Sequence, residues 1–197
     1  MDPYAAGGET TLPKLVHVVR HCWPEGQEPA APLTPEGRVQ AAALADFLVE
    51  ASRADGVRIE RIISSPFARA QQSAAPLAAR VGIAIETDAR LRERSLTTAS
   101  RSDWRDLVRA SFDDLDLRLE GGESNRTAMH RAAAVLEGIR RHPAQTTALV
   151  THGNLLTLLL KCLDGRVGFD EWGRLTYPDV FRVALRDGGP QVARIWR

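Results

Sequence analysis

Leu15-Val16-His17-Val18-Val19-Arg20-His21 is the stretch that decides the architecture of this 197-residue chain. Residues 15–19 are short, β-branched and apolar on both faces, the pattern of a strand buried between two layers and therefore of a parallel sheet. The run stops on Arg20 and His21, two side chains with no place in a core. A Pro-rich loop over residues 24–32 follows. Thr34-Pro35-Glu36 then supplies an N-cap, a proline at the first helical position and an acid in the first turn. The helix this starts is predicted to reach about residue 50, with Val39, Ala43 and Phe47 and the neighbouring Leu44 and Leu48 as its buried stripe.

The same unit recurs outward from this point. Residues 59–63 read as a second apolar strand, closed by Ser64-Ser65-Pro66, where Ser65 is placed to cap and Pro66 to open a helix to Val81. Residues 83–85 are a third short strand. Residues 89–122 are irregular apart from a short helix at 102–112 and a turn at Gly121-Gly122. A long helix is predicted at 124–141, a buried strand at 147–150, and a helix at 155–163. The strands at 180–185 and 191–196, separated by Asp187-Gly188-Gly189, read as a hairpin at a sheet edge. Strand and helix alternate over most of the length, so the class is α/β: three layers, a mostly parallel sheet with helices on both faces. Residues 1–13 lack periodicity and read as a tail ahead of one domain over 14–197.

Composition narrows the function. Hydrophobic residues make up 44% and charged residues 26%, a globular balance. The 26 basic and 25 acidic side chains leave a net charge of +1, so there is no global field to gather nucleic acid or anionic lipid, and any anion site must be local. No apolar run is long enough to span a bilayer and the first residues do not form a signal peptide, so a cytoplasmic location is expected. Two cysteines, Cys22 and Cys162, give neither a disulfide framework nor a zinc site. Lysine occurs only at Lys14 and Lys161, so arginine is the default cation and only an Arg at a strand mouth or a first helical turn carries information.

Ligands of open α/β sheets bind at the carboxyl ends of the strands. Arg20-His21 ends the first strand, Ser64-Ser65 the second with Arg69 just inside the following helix, and His152-Gly153 the strand at 147–150. Two His and two Arg from three segments thus share one rim with helix N-termini, which by composition is a phosphate site. His17 and His21 are four apart, but the β-branched run between them is a strand, and no Glu or Cys set accompanies them as metal ligands. His130 and His142 fall on or near a polar helix face. Trp104 and Trp172 read as packing residues, with Trp104 also suited to a substrate mouth.

Six segments in order resemble the histidine phosphatase superfamily, the phosphoglycerate mutase-like fold. They are Leu15 to His21, Leu33-Thr34-Pro35-Glu36-Gly37-Arg38-Val39-Gln40-Ala41, Ile63-Ser64-Ser65-Pro66-Phe67-Ala68-Arg69-Ala70, Leu91-Arg92-Glu93-Arg94, Gly121-Gly122-Glu123-Ser124 and Val150-Thr151-His152-Gly153-Asn154. The resemblance implies His21 as nucleophile, Glu93 as proton donor, and Arg20, Arg69 and His152 as the phosphate pocket. It implies no metal and no cofactor, and a small phosphorylated substrate. The roles are chemically apt. An imidazole attacks only through an unprotonated nitrogen, guanidinium forks neutralise the equatorial oxygens of a transferring phosphoryl group, and a carboxyl with a raised pKa protonates the leaving oxygen.

The chain also departs from that pattern. Cys22 stands where the family usually has Gly, so a Cβ would be costly if the position needs positive φ. A thiol beside Arg20 and His21 is expected to have a depressed pKa. Pro24 and Gln27 replace the usual polar residue and Asn, and Ser95-Leu96-Thr97-Thr98-Ala99-Ser100 replaces the segment that follows the acid. The leading expectation is a metal-independent phosphomonoesterase. A mutase-type phosphotransferase is less well served, because only residues 94–120 separate the acid from Gly121-Gly122. A phospholigand-binding protein with weakened turnover is the third reading, and a homodimer is left open.

Overall fold

The computed structural model describes residues 13–196; the tail expected at residues 1–13 lies, except for Pro13, outside them. Six strands form one sheet in the order β3-β2-β4-β1-β5-β6. β1 (Lys14–Arg20) is flanked by β4 (Thr146–Thr151), to which it is parallel, and by β5 (Asp179–Leu185), to which it is antiparallel. β2 (Arg61–Ser64) joins β4 in parallel and carries β3 (Ile85–Thr87), while β6 (Gln191–Arg194) closes the far edge antiparallel to β5. The mostly parallel sheet and the terminal hairpin are as the sequence pattern predicts.

Alternation along the strands divides the core into two layers. Val16, Val18, Ile63 and Leu149 face one side, covered by α4 (Asn125–Arg141) and α5 (Gly153–Leu163) through Ala132, Val135, Leu136, Leu155 and Leu159. Val19, Ile62, Ala148 and Val150 face the other, covered by α1 (Pro35–Ala54) and α2 (Ala68–Val81). The seated stripe of α1 is Ala41, Leu44, Ala45 and Leu48, whereas Val39 is 71% exposed and Ala43 lies outside the core. Gly37 sets this rotation, because a Cβ there would fall 2.2 Å from the Trp23 carbonyl oxygen, so the helix turns its smallest residues inward.

Other boundaries move for local reasons. α2 starts at Ala68 rather than Pro66, since Ser65 Oγ accepts the Phe67 amide at 3.3 Å and lies 2.7 Å from His152 Nε2. β3 begins two residues after the expected position because Gly82, at φ 69°, ends α2 in the left-handed region. Two short helices, α3 (Trp104–Asp113) and α6 (Phe169–Gly173), stand beside the carboxyl end of the sheet, and α6 has no periodic signal in the sequence. Among the described residues no helix is long and apolar enough to cross a membrane.

Candidate active site

β1 delivers Arg20 and His21 to the carboxyl edge of the sheet, where the His21 amide still pairs with the Thr151 carbonyl at 3.0 Å. The imidazole is 2% exposed. Its Nδ1 lies 2.7 Å from the Cys22 carbonyl oxygen. A carbonyl can only accept, so Nδ1 carries the proton and Nε2 keeps its lone pair. Burial, reinforced by the Arg69 and Arg20 charges and opposed by the Cys22 carbonyl, lowers the His21 pKa to about 3. The ring is neutral at physiological pH.

Arg69, in the first turn of α2, is 1% exposed and places Nε 3.2 Å from His21 Nε2. Its Nη1 donates to the carbonyls of Gln27 and Glu28, tying the Pro-rich loop to the site. Arg20 is fixed from the opposite side. Its Nη1 donates to the Leu175 and Thr176 carbonyls, its Cζ lies 3.5 Å from the centre of the Tyr177 ring, and its buried Nε has no partner among the described residues. Fully buried Asp179 orders that loop by accepting from the Thr176 amide while gripping Arg194 through both oxygens.

His152 ends β4 immediately before the helix it leads into. Its ring centre is 5.0 Å from that of His21, its Nε2 meets Ser65 Oγ, and its Nδ1 is buried without a partner among the described residues. Burial first, then the neighbouring His21, Arg69, Arg131 and Arg20, push its pKa well below the ordinary value. Gly153 leaves room for Arg20, since a Cβ there would lie 3.2 Å from the Arg20 Nε and press on its guanidinium.

Glu93 arrives from the irregular segment and lies against the start of α5, accepting the amides of Asn154 (3.1 Å) and Leu155 (3.0 Å) as well as that of Arg94 (2.8 Å). Glu123 and Arg131 hold the approach to it. The two form a bidentate pair, and Arg131 Nη1 also donates to the carbonyls of Arg90 and Arg92. Gly121-Gly122 let residues 95–98 dock, for a Cβ at Gly122 would meet the Leu96 carbonyl oxygen at 2.1 Å.

These parts surround a cavity of about 880 Å³ whose walls include Arg20, His21, Arg69, Glu93, Trp104 and Tyr177. All five predicted site residues therefore come together, four on the cavity wall and His152 behind it against His21. Trp104, 48% exposed, and Trp172 meet edge to face at 5.9 Å and both line the mouth, so they do more than pack. A second hollow of about 720 Å³, bordered by Asp46, Arg53, Arg58 and Arg80, carries none of the predicted residues.

Cys22 corrects two expectations. No non-glycine residue among those described has a positive φ, so its Cβ causes no backbone strain. Its thiol is buried in the layer with Val19 and Leu33, and burial raises its pKa to about 11, opposed only by the Ser73 hydroxyl. His17 faces that same layer, fully buried, with both ring nitrogens unpartnered among the described residues and its pKa lowered by burial to about 4. Sequence reasoning missed Tyr177, Asp179 and Arg131, which act through loop packing at long sequence separation and leave no local motif.

The profile of the histidine phosphatase superfamily (branch 1) matches residues 16–196, and the chain belongs to that superfamily. It is 42% identical to an uncharacterised protein of Mycobacterium tuberculosis over 37% of each chain. It is 32% identical to a probable phosphoglycerate mutase of Escherichia coli over 68% of this chain and 64% of the relative. The match thus spans about a third of the first relative's length and just under two thirds of the second's. Among solved structures, the mycobacterial glucosyl-3-phosphoglycerate phosphatase superposes with a TM-score of 0.70 at 22% identity, covering 92% of this chain and 97% of that one.

Proposed function

We propose that the chain is a metal-independent phosphomonoesterase that hydrolyses a small phosphorylated metabolite through a phosphohistidine on His21. The observation that carries this reading is a neutral His21 whose unprotonated Nε2 accepts from the Nε of buried Arg69 at 3.2 Å, a guanidinium with no carboxylate partner among the described residues. A phosphoryl group seated against Arg69, Arg20 and His152 would have its equatorial charge neutralised where Nε2 attacks in line. With the Ser65 hydroxyl donating to His152 Nε2, the remaining Nδ1–H is a further donor for a phosphoryl oxygen.

Attack forms the Nε2–P bond and breaks the bond from phosphorus to the ester oxygen. That oxygen leaves as an alcohol once Glu93 hands it a proton. Water then attacks the phosphohistidine, Glu93 takes up its proton, and inorganic phosphate departs as His21 regains its lone pair. Arg20 and Arg69, from separate elements, supply the positive charge this sequence of steps needs, and neutral His152 adds a donor.

Two relatives bear on the choice of reaction: one is named a phosphatase and another a probable mutase. A mutase must keep water from its phosphohistidine. Only residues 94–120 separate Glu93 from Gly121-Gly122, a short run of chain to shield a phosphohistidine from water, and this favours hydrolysis. Release of para-nitrophenol from its phosphate ester, in the presence of chelator, tests the reading: wild type should turn over and His21→Ala should not. Turnover abolished by chelator, or retained in His21→Ala, overturns it.

A further inference from the structure

Thr34-Pro35-Glu36-Gly37-Arg38-Val39-Gln40 opens α1, and none of its residues lines the cavity. A spacing of three nonetheless puts Thr34, Gly37 and Gln40 on one face, where all three meet the backbone of Trp23. The Thr34 amide and hydroxyl donate to the Trp23 carbonyl at 3.1 and 3.3 Å, Gly37 leaves room for that oxygen, and Gln40 Oε1 accepts the Trp23 amide at 2.9 Å. From α2, Ser73 Oγ accepts the Cys22 amide at 2.9 Å and donates to the Arg69 carbonyl at 2.7 Å; Ser73 is 1% exposed.

These bonds reach His21 through the planarity of the peptide group. The Trp23 N–H and the Cys22 C=O belong to one rigid plane. The contact with Gln40 therefore fixes the direction of the carbonyl that accepts the His21 Nδ1 proton at 2.7 Å. The Cys22 N–H belongs to the preceding plane, which Ser73 holds. Both peptides flanking Cys22 are thus clamped by side chains, one from each helix that covers this face of the sheet. An acceptor on the Trp23 amide also polarises the carbonyl of the same peptide and strengthens its bond to the imidazole.

Nothing intrinsic to a neutral imidazole favours the proton on Nδ1; the tautomer follows the hydrogen bonds the ring makes. Arg69 donates to Nε2 in the free site. Attack on phosphorus needs that lone pair, so Arg69 must turn to the phosphoryl oxygens as substrate seats. The Cys22 carbonyl is then the ring's one remaining hydrogen-bond partner among the described residues. We infer that Gln40, together with Ser73, is a positioning residue for the nucleophile: it fixes the Cys22–Trp23 peptide so that its carbonyl keeps the His21 proton on Nδ1 while Nε2 attacks. This rests on the phosphatase reading for its kinetic readout but not for its spectroscopic one.

The test compares wild type with Gln40→Met, which keeps the side-chain length without the acceptor, with Gln40→Glu, which keeps an acceptor, and with Ser73→Ala. NMR of protein labelled with ¹⁵N-histidine reads the Nδ1–H resonance of His21, assigned by its absence from His21→Ala. Turnover of para-nitrophenyl phosphate and its inhibition by inorganic phosphate are measured alongside. Gln40→Met should move the resonance upfield and lower kcat/KM by about 2- to 10-fold, the worth of one neutral hydrogen bond, with phosphate inhibition unchanged. Gln40→Glu should hold the resonance at or downfield of its wild-type position and restore turnover, and Ser73→Ala should move it upfield. A resonance unmoved in Gln40→Met or Ser73→Ala assigns that residue to loop packing and overturns its role, as does a fall in kcat/KM for Gln40→Met matched by equally weakened phosphate inhibition. If wild type does not turn over, the phosphatase reading fails and the resonance alone decides. If Gln40→Met does not fold, Gln40→Asn, one methylene short of Trp23, takes its place with the same outcomes.

Discussion

Arg69 directs its Nε at the Nε2 of His21 from 3.2 Å, while the Cys22 carbonyl holds the proton of the same imidazole on Nδ1 at 2.7 Å. The contact is possible because His21 is neutral, and burial keeps it so by lowering its pKa to about 3. Acid should therefore not disarm the nucleophile near the ordinary histidine value. Once the second ionisation of the substrate phosphate is allowed for, kcat/KM should show no break near pH 6.5 that belongs to His21. The pH profile with a substrate of known phosphate pKa checks this, and a limb at 6.5 that remains after that correction would mean that His21 titrates normally.

Glu93 should matter in proportion to how badly the leaving group needs a proton. Glu93→Gln is expected to reduce kcat/KM for an alkyl phosphate by about 10²- to 10⁴-fold, the usual range for general acid catalysis, and to reduce it far less for para-nitrophenyl phosphate. Equal losses on the two esters would assign Glu93 to holding the start of α5, where it accepts the amides of Asn154 and Leu155.

The buried His17 makes the fold sensitive to acid. Its pKa is about 4 folded, against an ordinary 6.5. The unfolded chain therefore binds more protons in that window, and stability falls as pH drops from 6.5 toward 4, then levels off for this group. The loss from His17 should amount to roughly 3 kcal/mol. His21 and His152 shift in the same direction and add to it. Urea unfolding at several pH values, compared between wild type and His17→Leu, measures the share of His17. The variant should lose less stability on acidification, and identical pH dependence would refute the assignment.

Cys22 should be inert in the native protein, since its thiol is buried and its pKa is raised to about 11. Cys162 is exposed. A disulfide reagent applied to native protein at neutral pH should modify Cys162 and leave both Cys22 and turnover intact, with the second thiol reacting only in denaturant. Loss of activity on modification of Cys22 in the folded state would place its sulfur at the site.

Much of the site was legible because its residues sit where periodic segments stop. Arg20, His21 and His152 end strands whose β-branched runs are unmistakable, and Arg69 opens a helix after Ser64-Ser65-Pro66. Glu93 lacked such a frame and was found only through the family resemblance. Its setting depends on Arg131 reaching across from α4 to carbonyls of residues about 40 positions earlier. No window of sequence displays a contact of that range. The consequence of Cys22 was misread for a related reason: adjacency to Arg20 and His21 suggested an electrostatic effect, whereas the side chain turns to the opposite layer and desolvation dominates. The stripe of α1 was rotated because Gly37 and Ala41 carry little hydrophobic signal, yet their small size is what lets the helix approach the sheet.

The covalent intermediate is the central claim, and trapping it is the most direct test. Protein mixed with an excess of a ³²P-labelled phosphate monoester, quenched rapidly in alkali to preserve phosphohistidine, and digested for mass spectrometry should carry one phosphoryl group on the peptide containing His21. The label should be absent from His21→Ala and should disappear from wild type at a rate no slower than turnover. Turnover without label on His21, or label on another residue in both proteins, would contradict the account.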